Sequence, residues 1–137
     1  MRLLIRIVFF TSIIVIGSGF DPADQIRFRL IVFEGSDWCP QCRRLEKEIL
    51  NDSLFLTQLQ SHSVFIERID FPQRKKLSEP TRLYNTTIAE KYAFDGSFPT
   101  IILARTDSFR YRKIIYSNQS IANFIAEVNQ VKSSSLQ

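Results

Sequence analysis

The sequence predicts an α/β fold in which a central mixed sheet is flanked by helices on both faces. Strand-like and helix-like segments alternate along most of the 137-residue chain, which is long enough for one domain. Residues 30–33 are all apolar, which is typical of a strand covered on both faces in a parallel sheet. The alternation of strands and helices predicts parallel pairing with right-handed crossovers. Only a short turn, at residues 105–108, separates the last two strand-like segments, so we expect an antiparallel hairpin at one side of the sheet.

The first half of this domain is predicted to form a strand followed by two helices. Residues 26–33 are rich in Ile, Val and Phe, which predicts a strand. A helix is predicted over residues 40–50, because apolar residues recur there at i, i+3 and i+7. These residues are Cys42, Leu45 and Ile49. The polar residues 51–53 end this helix and can cap a second, short helix over residues 54–60.

The second half supplies the rest of the sheet and two further helices. Residues 64–69 predict a second strand, and a polar loop leads from it to a helix over residues 80–92 with a weak apolar stripe. A turn then precedes strands predicted over residues 100–104 and 109–116. Apolar residues at i, i+3, i+4 and i+7 predict a terminal amphipathic helix. They are Ile121, Phe124, Ile125 and Val128.

The N-terminal residues 1–19 predict a secretory signal peptide. Arg2 and Arg6 give a positive start, an apolar run follows, and small residues suited to signal-peptidase cleavage close the segment. The uncharged run from residue 7 to residue 20 is shorter than the roughly 20 residues of a membrane-spanning helix. We therefore expect export, with the domain over residues 20–137. An uncleaved membrane anchor and a buried N-terminal helix are the alternatives.

The charge balance argues against one broad class of function. With 18 Lys and Arg residues against 14 Asp and Glu residues, the net charge is only +4, and no concentrated basic stripe is present. We therefore do not expect a nucleic-acid-binding protein. The densest basic run is Arg74-Lys75-Lys76, which we interpret as a solvated loop. The alternative is that this run steers an acidic partner.

The two cysteines of the chain are three residues apart, where a predicted strand and a short loop lead into a helix. In this position Cys39 is the N-cap and Pro40 is the first helical residue, which suits a residue without an N–H group. The N–H groups of Gln41 and Cys42 then point towards the Cys39 sulfur and favour its thiolate form. This arrangement predicts Cys39 as the nucleophile and Cys42, on the apolar helix face, as the shielded resolving thiol.

Three other interpretations of the cysteine pair are weaker. A zinc site needs about four ligands, and beyond the pair the chain offers only His62 and carboxylates. A purely structural disulfide is disfavoured, because closing so short a loop removes little entropy from the unfolded chain. Two unreactive thiols at this spacing by chance do not account for the strand–loop–helix context. We therefore expect no metal, and no cofactor beyond the redox-active cysteines.

The sequence resembles the thioredoxin superfamily. The resemblance lies in Trp38-Cys39-Pro40-Gln41-Cys42 after the first strand and in Phe98-Pro99-Thr100 at the start of a later one, and it covers residues 28–128. Residues 33–39 and 44–48 look most similar to bacterial exported thioredoxin-like proteins, including periplasmic disulfide oxidoreductases such as those described from chlamydiae.

This resemblance implies a thioredoxin-like fold and a thiol–disulfide oxidoreductase that acts on exported proteins through a mixed disulfide on Cys39. It implies that Pro99 follows a cis peptide bond and that Phe98 and Pro99 contact the substrate near the cysteines. We expect Trp38 to cover the pair and to contact the substrate as well. We expect a monomeric chain in the bacterial periplasm with a membrane redox partner. The alternative is attachment to the inner membrane through the uncleaved N-terminal segment.

Two departures from the family pattern leave the redox direction open between reductase, oxidase and isomerase. Pro comes first between the cysteines, followed by Gln, whereas thioredoxins place Gly then Pro there. The buried Asp that thioredoxins carry six residues before the first Cys is replaced by Phe33, and the adjacent Glu34 is expected on the other sheet face. The alternative function is a non-catalytic module, either a chaperone or a metal-delivery protein. Copper delivery is weakly supported, because it would benefit from Met or His residues near the pair and the chain has only one of each.

Overall fold

The computed structural model describes residues 27–134, which form four strands and four α-helices around one mixed sheet. In chain order the elements are β1 (Phe28–Glu34), α1 (Pro40–Leu45), α2 (Ser53–Ser61), β2 (Val64–Asp70), α3 (Glu79–Lys91), β3 (Thr100–Arg105), β4 (Tyr111–Ile114) and α4 (Ile121–Ser134). The strand order is β2-β1-β3-β4, with β1 parallel to β2 and antiparallel to β3, and β3 antiparallel to β4. The predicted mixed sheet and closing hairpin are confirmed. The parallel pairing expected from the alternation of strands and helices holds for β1 with β2 but is wrong for β3, which runs antiparallel to β1.

The alternating side chains of β1 supply both faces of the sheet, because successive residues of a strand point to opposite sides. On one face Leu30 and Val32 pack against residues of α2, α4 and the segment after Cys42. On the other face Ile31 and Phe33 pack against residues of α3 and of the loops beside it. All four side chains are fully buried. The continuous apolar run therefore belongs to a strand covered on both sides, as predicted.

The helix predicted over residues 40–50 changes its geometry partway. The α-helical part ends at Leu45, and Glu46–Leu50 form a π-helical turn that closes with a 3.0 Å hydrogen bond from Asn51 N–H to the Glu46 carbonyl. Both residues at the end of this wider turn, Ile49 and Leu50, are buried in the core. The i, i+3, i+7 pattern identifies the buried face, but it does not distinguish a continuous α-helix from one with a π-helical end.

The fourth strand is shorter than the residues 109–116 that the sequence predicts. The apolar side chains of Phe109 and Ile115 lie outside β4 and are exposed. The backbone of Ile115 leaves the ladder, because its N–H donates to the Glu127 carboxylate at 3.1 Å and its carbonyl accepts from the Gln119 amide at 2.8 Å. Competing hydrogen bonds to residues of the α4 region therefore end the strand.

The predicted signal peptide at residues 1–19 lies outside the described residues and stays a prediction. Within residues 27–134, no helix is both long enough and apolar enough to cross a membrane.

Candidate active site

The sheet topology places the cysteine pair beside the start of β3. The active-site turn, residues 35–39, leaves the C-terminal end of β1 and leads into α1. Phe33 pairs with Thr100 in the antiparallel β1–β3 ladder, so the end of β1 adjoins the beginning of β3. Directly before Thr100, the Phe98–Pro99 peptide bond is cis. The cis bond implied by the family resemblance is confirmed.

Cys39 and Cys42 are joined as a disulfide, with an Sγ–Sγ distance of 2.18 Å and a Cα–Cα distance of 5.3 Å. Cys39 is the N-cap of α1 with an extended backbone, and the Cys42 N–H donates to Cys39 Sγ at 3.1 Å. The N-cap prediction is therefore confirmed. Within the described residues, the second predicted donor, Gln41 N–H, makes no hydrogen bond to this sulfur. Cys39 is 4% exposed and Cys42 is 1% exposed.

Trp38 is held by three contacts beside the cysteines. Its indole Nε1–H donates to the Phe71 carbonyl at 2.8 Å, and its ring meets Phe98 edge-on with centroids 5.1 Å apart. A Cβ atom on Gly35 would lie 2.4 Å from the Trp38 indole, so only glycine allows the ring to approach this closely. These contacts are with Phe71, Phe98 and Gly35, so the expectation that Trp38 covers the cysteine pair stays a prediction. The requirement for glycine at position 35 was not predicted.

Trp38 belongs to an aromatic cluster on the α3 face of the sheet, in which neighbouring ring centroids lie 4.5–6.0 Å apart. Its members are Phe33, Trp38, Phe71, Phe94 and Phe98. Phe33 stacks on Phe94 at 4.5 Å. The position six residues before Cys39 is therefore filled by a stacked aromatic ring, whereas thioredoxins place a carboxylate there. The cluster connects that position with Trp38 and with the residue before the cis proline.

The opposite face of the same strand end carries a charge network. The Glu34 side chain, 4% exposed, accepts two hydrogen bonds from the Arg68 guanidinium at 2.7 and 2.8 Å. Arg68 also donates to Glu46, in the π-helical turn, at 2.9 Å. The hydrogen bond with Glu34 raises the pKa of Arg68 well above its ordinary value. Glu34 does lie on the face predicted for it, and its carboxylate is paired with a cation there.

The active-site turn is tied to the C-terminal end of β2. Ser36 donates to the Asp70 carboxylate through its N–H at 2.8 Å and through its hydroxyl at 2.7 Å. Asp70 is in turn held by the buried Asn85 amide, which donates to its carbonyl at 2.7 Å. None of these contacts was predicted, because the three residues lie far apart in the sequence and follow no periodic pattern.

Asp37 makes the second tie. Its carboxylate accepts hydrogen bonds from the N–H groups of Gln73, Arg74 and Lys75 at 2.7–2.9 Å. Partial desolvation acts to raise the pKa of Asp37, but the bonds from the three N–H groups outweigh it and leave that pKa below its usual value. The residue two positions before Cys39 therefore fixes the conformation of a loop more than thirty residues away in the sequence.

A disulfide of two cysteines at the N-terminus of the helix after β1, beside a cis proline at the start of β3, defines the class of thioredoxin-fold domains with a CxxC pair. A family model described as a thioredoxin-like domain matches residues 23–132. The chain therefore belongs to the thioredoxin-like family, and the fold implied by the sequence resemblance is confirmed.

Two curated relatives from Chlamydia pneumoniae share this domain. The chain is 26% identical over 98 residues to "Disulfide bond reductase DsbH", covering 72% of this chain and 58% of that protein. It is 26% identical over 94 residues to "Thioredoxin-related protein DsbJ", covering 69% of this chain and 27% of that protein. The chain thus spans less than two thirds of either relative.

Two solved structures have the same fold. One is titled "DsbH Oxidoreductase", with a TM-score of 0.70 and 22% identity over 79% of this chain and 74% of that one. The other is a thioredoxin from Thermus thermophilus, with a TM-score of 0.52 and 19% identity over 80% of this chain and 76% of that one. At these identities the likeness concerns the fold alone.

Proposed function

We propose that the chain is a thiol–disulfide oxidoreductase that acts on proteins through Cys39 and Cys42. The observation that carries this proposal is the hydrogen bond from Cys42 N–H to Cys39 Sγ at the N-terminus of α1. A donor held at this sulfur favours its negatively charged form, and the thiolate is the reactive form of cysteine. The family membership and the DsbH and DsbJ relatives support the same activity.

Reduction of a substrate proceeds by two exchanges at sulfur. The Cys39 thiolate attacks one sulfur of the substrate disulfide, forming a mixed disulfide as the substrate S–S bond breaks and the other substrate sulfur leaves as a thiolate. The Cys42 thiolate then attacks Cys39 Sγ, which forms the Cys39–Cys42 disulfide and releases the second substrate sulfur. Two electrons pass to the substrate, and its two thiolates take up protons from water. Oxidation of a substrate dithiol is the reverse sequence.

The surroundings of the two sulfurs support a division of roles. Cys42 is the more deeply buried of the two, which suits a resolving thiol that reacts only with the mixed disulfide on Cys39. Trp38, Phe98 and Pro99 contact the substrate polypeptide in this proposal. Supporting this are the edge-on contact between Trp38 and Phe98 and the position of the cis Pro99 directly before β3.

The reductive direction and an exported location complete the proposal. The name of the DsbH relative, a disulfide bond reductase, supports reduction. Residues 1–19 act as a signal peptide, residues 20–137 work as a monomer in the periplasm, and a membrane dithiol partner reduces the pair after each turnover. Mass spectrometry of the mature protein tests the location: a chain starting at residue 20 is expected, and one retaining Met1 contradicts cleavage.

The activity is tested by disulfide reduction in insulin with dithiothreitol as the electron source. Cys39→Ser is expected to abolish catalysis, whereas Cys42→Ser is expected to accumulate a mixed disulfide that mass spectrometry detects. Turnover that survives Cys39→Ser contradicts the proposal. The equilibrium potential of the Cys39–Cys42 pair against glutathione tests the direction. A potential of about −270 mV is expected for a reductase, whereas a potential of about −120 mV indicates an oxidase.

A further inference from the structure

The basic loop, residues 71–77 between β2 and α3, lies beside the active-site turn and carries consecutive exposed cations at Arg74, Lys75 and Lys76. We propose that this loop binds an acidic segment of the protein substrate while a nearby sulfur of that substrate reacts with Cys39. The inference rests on the proposed oxidoreductase function and specifies the class of substrate, namely polypeptides with acidic residues close to the reacting cysteine.

The backbone of the basic loop is hydrogen-bonded to the active-site turn. Asp37 accepts hydrogen bonds from the backbone of Gln73, Arg74 and Lys75, and Trp38 donates to the Phe71 carbonyl. Asp37 is two residues from Cys39, so the backbone of the loop lies on the order of 10 Å from that cysteine. An extended substrate chain covers this span with roughly three residues.

The surface between the basic loop and α3 is concave. A cavity of about 370 Å³ opens between the basic loop and α3. It is lined by Phe71, Pro72, Lys75, Lys76, Leu77 and Arg82. The apolar residues offer a site for a side chain of the substrate, and the cations beside them offer partners for its carboxylates. An acidic peptide that also carries an apolar residue matches both parts of the cavity.

Ion pairs neutralise only part of the positive charge on this surface. Within residues 27–134, the side chains of Arg74 and Lys76 make no ion pair. Arg82 is paired with the exposed Glu79, at 2.6 Å. The nearby Asp37 carboxylate is already occupied by three backbone N–H groups. The basic loop therefore presents a net positive surface, and charge complementarity favours an acidic partner.

The test compares two peptides that contain the same disulfide, one flanked by Asp and Glu and the other by Lys. Their kcat and KM are measured at low ionic strength with wild type and with Arg74→Gln/Lys76→Gln. This variant is expected to raise the KM of the acidic peptide about fivefold and to lower that of the Lys-flanked peptide. Lys75 is kept, because its Nζ lies 3.4 Å from the Ser36 hydroxyl.

A matched control removes two positive charges from the opposite end of the sheet, by Arg27→Gln/Arg110→Gln. Arg27 precedes β1, and the Arg110 carbonyl accepts from Arg105 N–H at the end of β3, so both lie away from the cysteines. The control is expected to leave the ratio of the two KM values unchanged. A ratio that is equally unchanged in Arg74→Gln/Lys76→Gln overturns the inference.

Two further outcomes have distinct meanings. If wild type reduces neither peptide, the proposed oxidoreductase function fails, and the inference fails with it. In the second outcome, wild type and Arg74→Gln/Lys76→Gln show the same preference between the two peptides, but the variant no longer binds vesicles of phosphatidylglycerol. This result would mean that the loop faces an anionic membrane, and it overturns the inference. A preference for the acidic peptide that wild type shows and Arg74→Gln/Lys76→Gln loses, while Arg27→Gln/Arg110→Gln keeps it, supports the inference.

Discussion

Phe33 and Glu34 are neighbours at the end of β1, but their side chains lie on opposite faces of the sheet and in opposite surroundings. Phe33 is stacked on Phe94 within the aromatic cluster that reaches Trp38. Glu34 is paired with Arg68, which also binds Glu46 in the π-helical turn after α1. The strand end that carries the active-site turn is therefore held by ring packing on one face and by charge pairing on the other.

The two faces should respond differently to substitution. Loss of a ring from the aromatic cluster leaves a cavity, which costs both the transfer free energy of the ring and its packing contacts. Loss of one partner from the charge network leaves a buried charge without compensation, although replacing both partners with apolar residues need not be harmful. We therefore expect a larger loss of stability from a truncated ring on the aromatic face than from a lost partner on the charged face.

Phe33→Ala is expected to have the largest effect on stability. Phe33 is fully buried, so its truncation should lower the free energy of unfolding by about 4 kcal/mol. Urea unfolding of the oxidised protein measures this loss. Phe109→Ala is the control, because Phe109 is 87% exposed and its loss should change stability by no more than about 0.5 kcal/mol. A loss below about 1 kcal/mol for Phe33→Ala contradicts the tight packing of the aromatic cluster.

Arg68→Met tests the opposite face. It leaves the Glu34 carboxylate buried without a cation, which should cost about 3 kcal/mol in the free energy of unfolding. Adding Glu34→Leu to the same chain should recover most of the loss, because the uncompensated charge is then gone.

The control for the charge network is Arg82→Met. Arg82 is also ion-paired, but both partners of its pair with Glu79 are exposed, so the expected loss is much smaller than that of Arg68→Met. If Arg68→Met and Arg82→Met lowered the free energy of unfolding equally, the burial of Glu34 would add nothing to the cost of removing its ion-pair partner. A double variant no more stable than Arg68→Met would contradict the assignment of the loss to an unpaired charge.

Gly35→Ala acts where the aromatic cluster meets the active-site turn. The added Cβ would lie 2.4 Å from the Trp38 indole, so the ring must shift and its hydrogen bond to the Phe71 carbonyl is lost. We expect a destabilisation of about 2 kcal/mol. Trp38 is the single tryptophan, so its fluorescence emission reports the displacement directly.

Gly96→Ala is the matched control for this glycine. Gly96 has a φ of +84° but nothing within 4 Å of an added Cβ, so only backbone strain is introduced, at about 1 kcal/mol. The emission spectrum of Trp38 should not change in this variant. An unchanged spectrum in Gly35→Ala as well would show that the indole does not depend on the absence of a side chain at position 35.

The parts of this site that the sequence predicts are those set by local rules. The N-cap position of Cys39 follows from the adjacent Pro40, and the buried face that contains Cys42 follows from helical spacing. The separation of Phe33 from Glu34 follows from strand alternation. The cis bond before Pro99 followed only from the family resemblance, because most X–Pro bonds are trans.

The parts that were not predicted depend on pairing between distant segments. The bond between Glu34 and Arg68 requires the parallel β1–β2 register, in which Val32 is opposite Arg68. The hydrogen bonds that Asp37 accepts from the basic loop require that loop to return to the active-site turn after β2. Neither contact follows from a local sequence pattern, so neither could be inferred before the register and the loop conformation were known.

The smallest effect is expected from the hydrogen bonds between Asp37 and the basic loop, and it depends on pH. The pKa of Asp37 is lowered in the folded protein, so its ionised form stabilises the fold above the unfolded-state pKa of about 3.9. This contribution should be lost as the pH falls through the lower, folded-state pKa. Asp37→Asn keeps one acceptor oxygen but no charge, so its stability deficit relative to wild type should be present at pH 7 and shrink below about pH 4. Urea unfolding at several pH values measures the deficit, and one that stays constant down to pH 2 would mean that the Asp37 charge does not hold the basic loop.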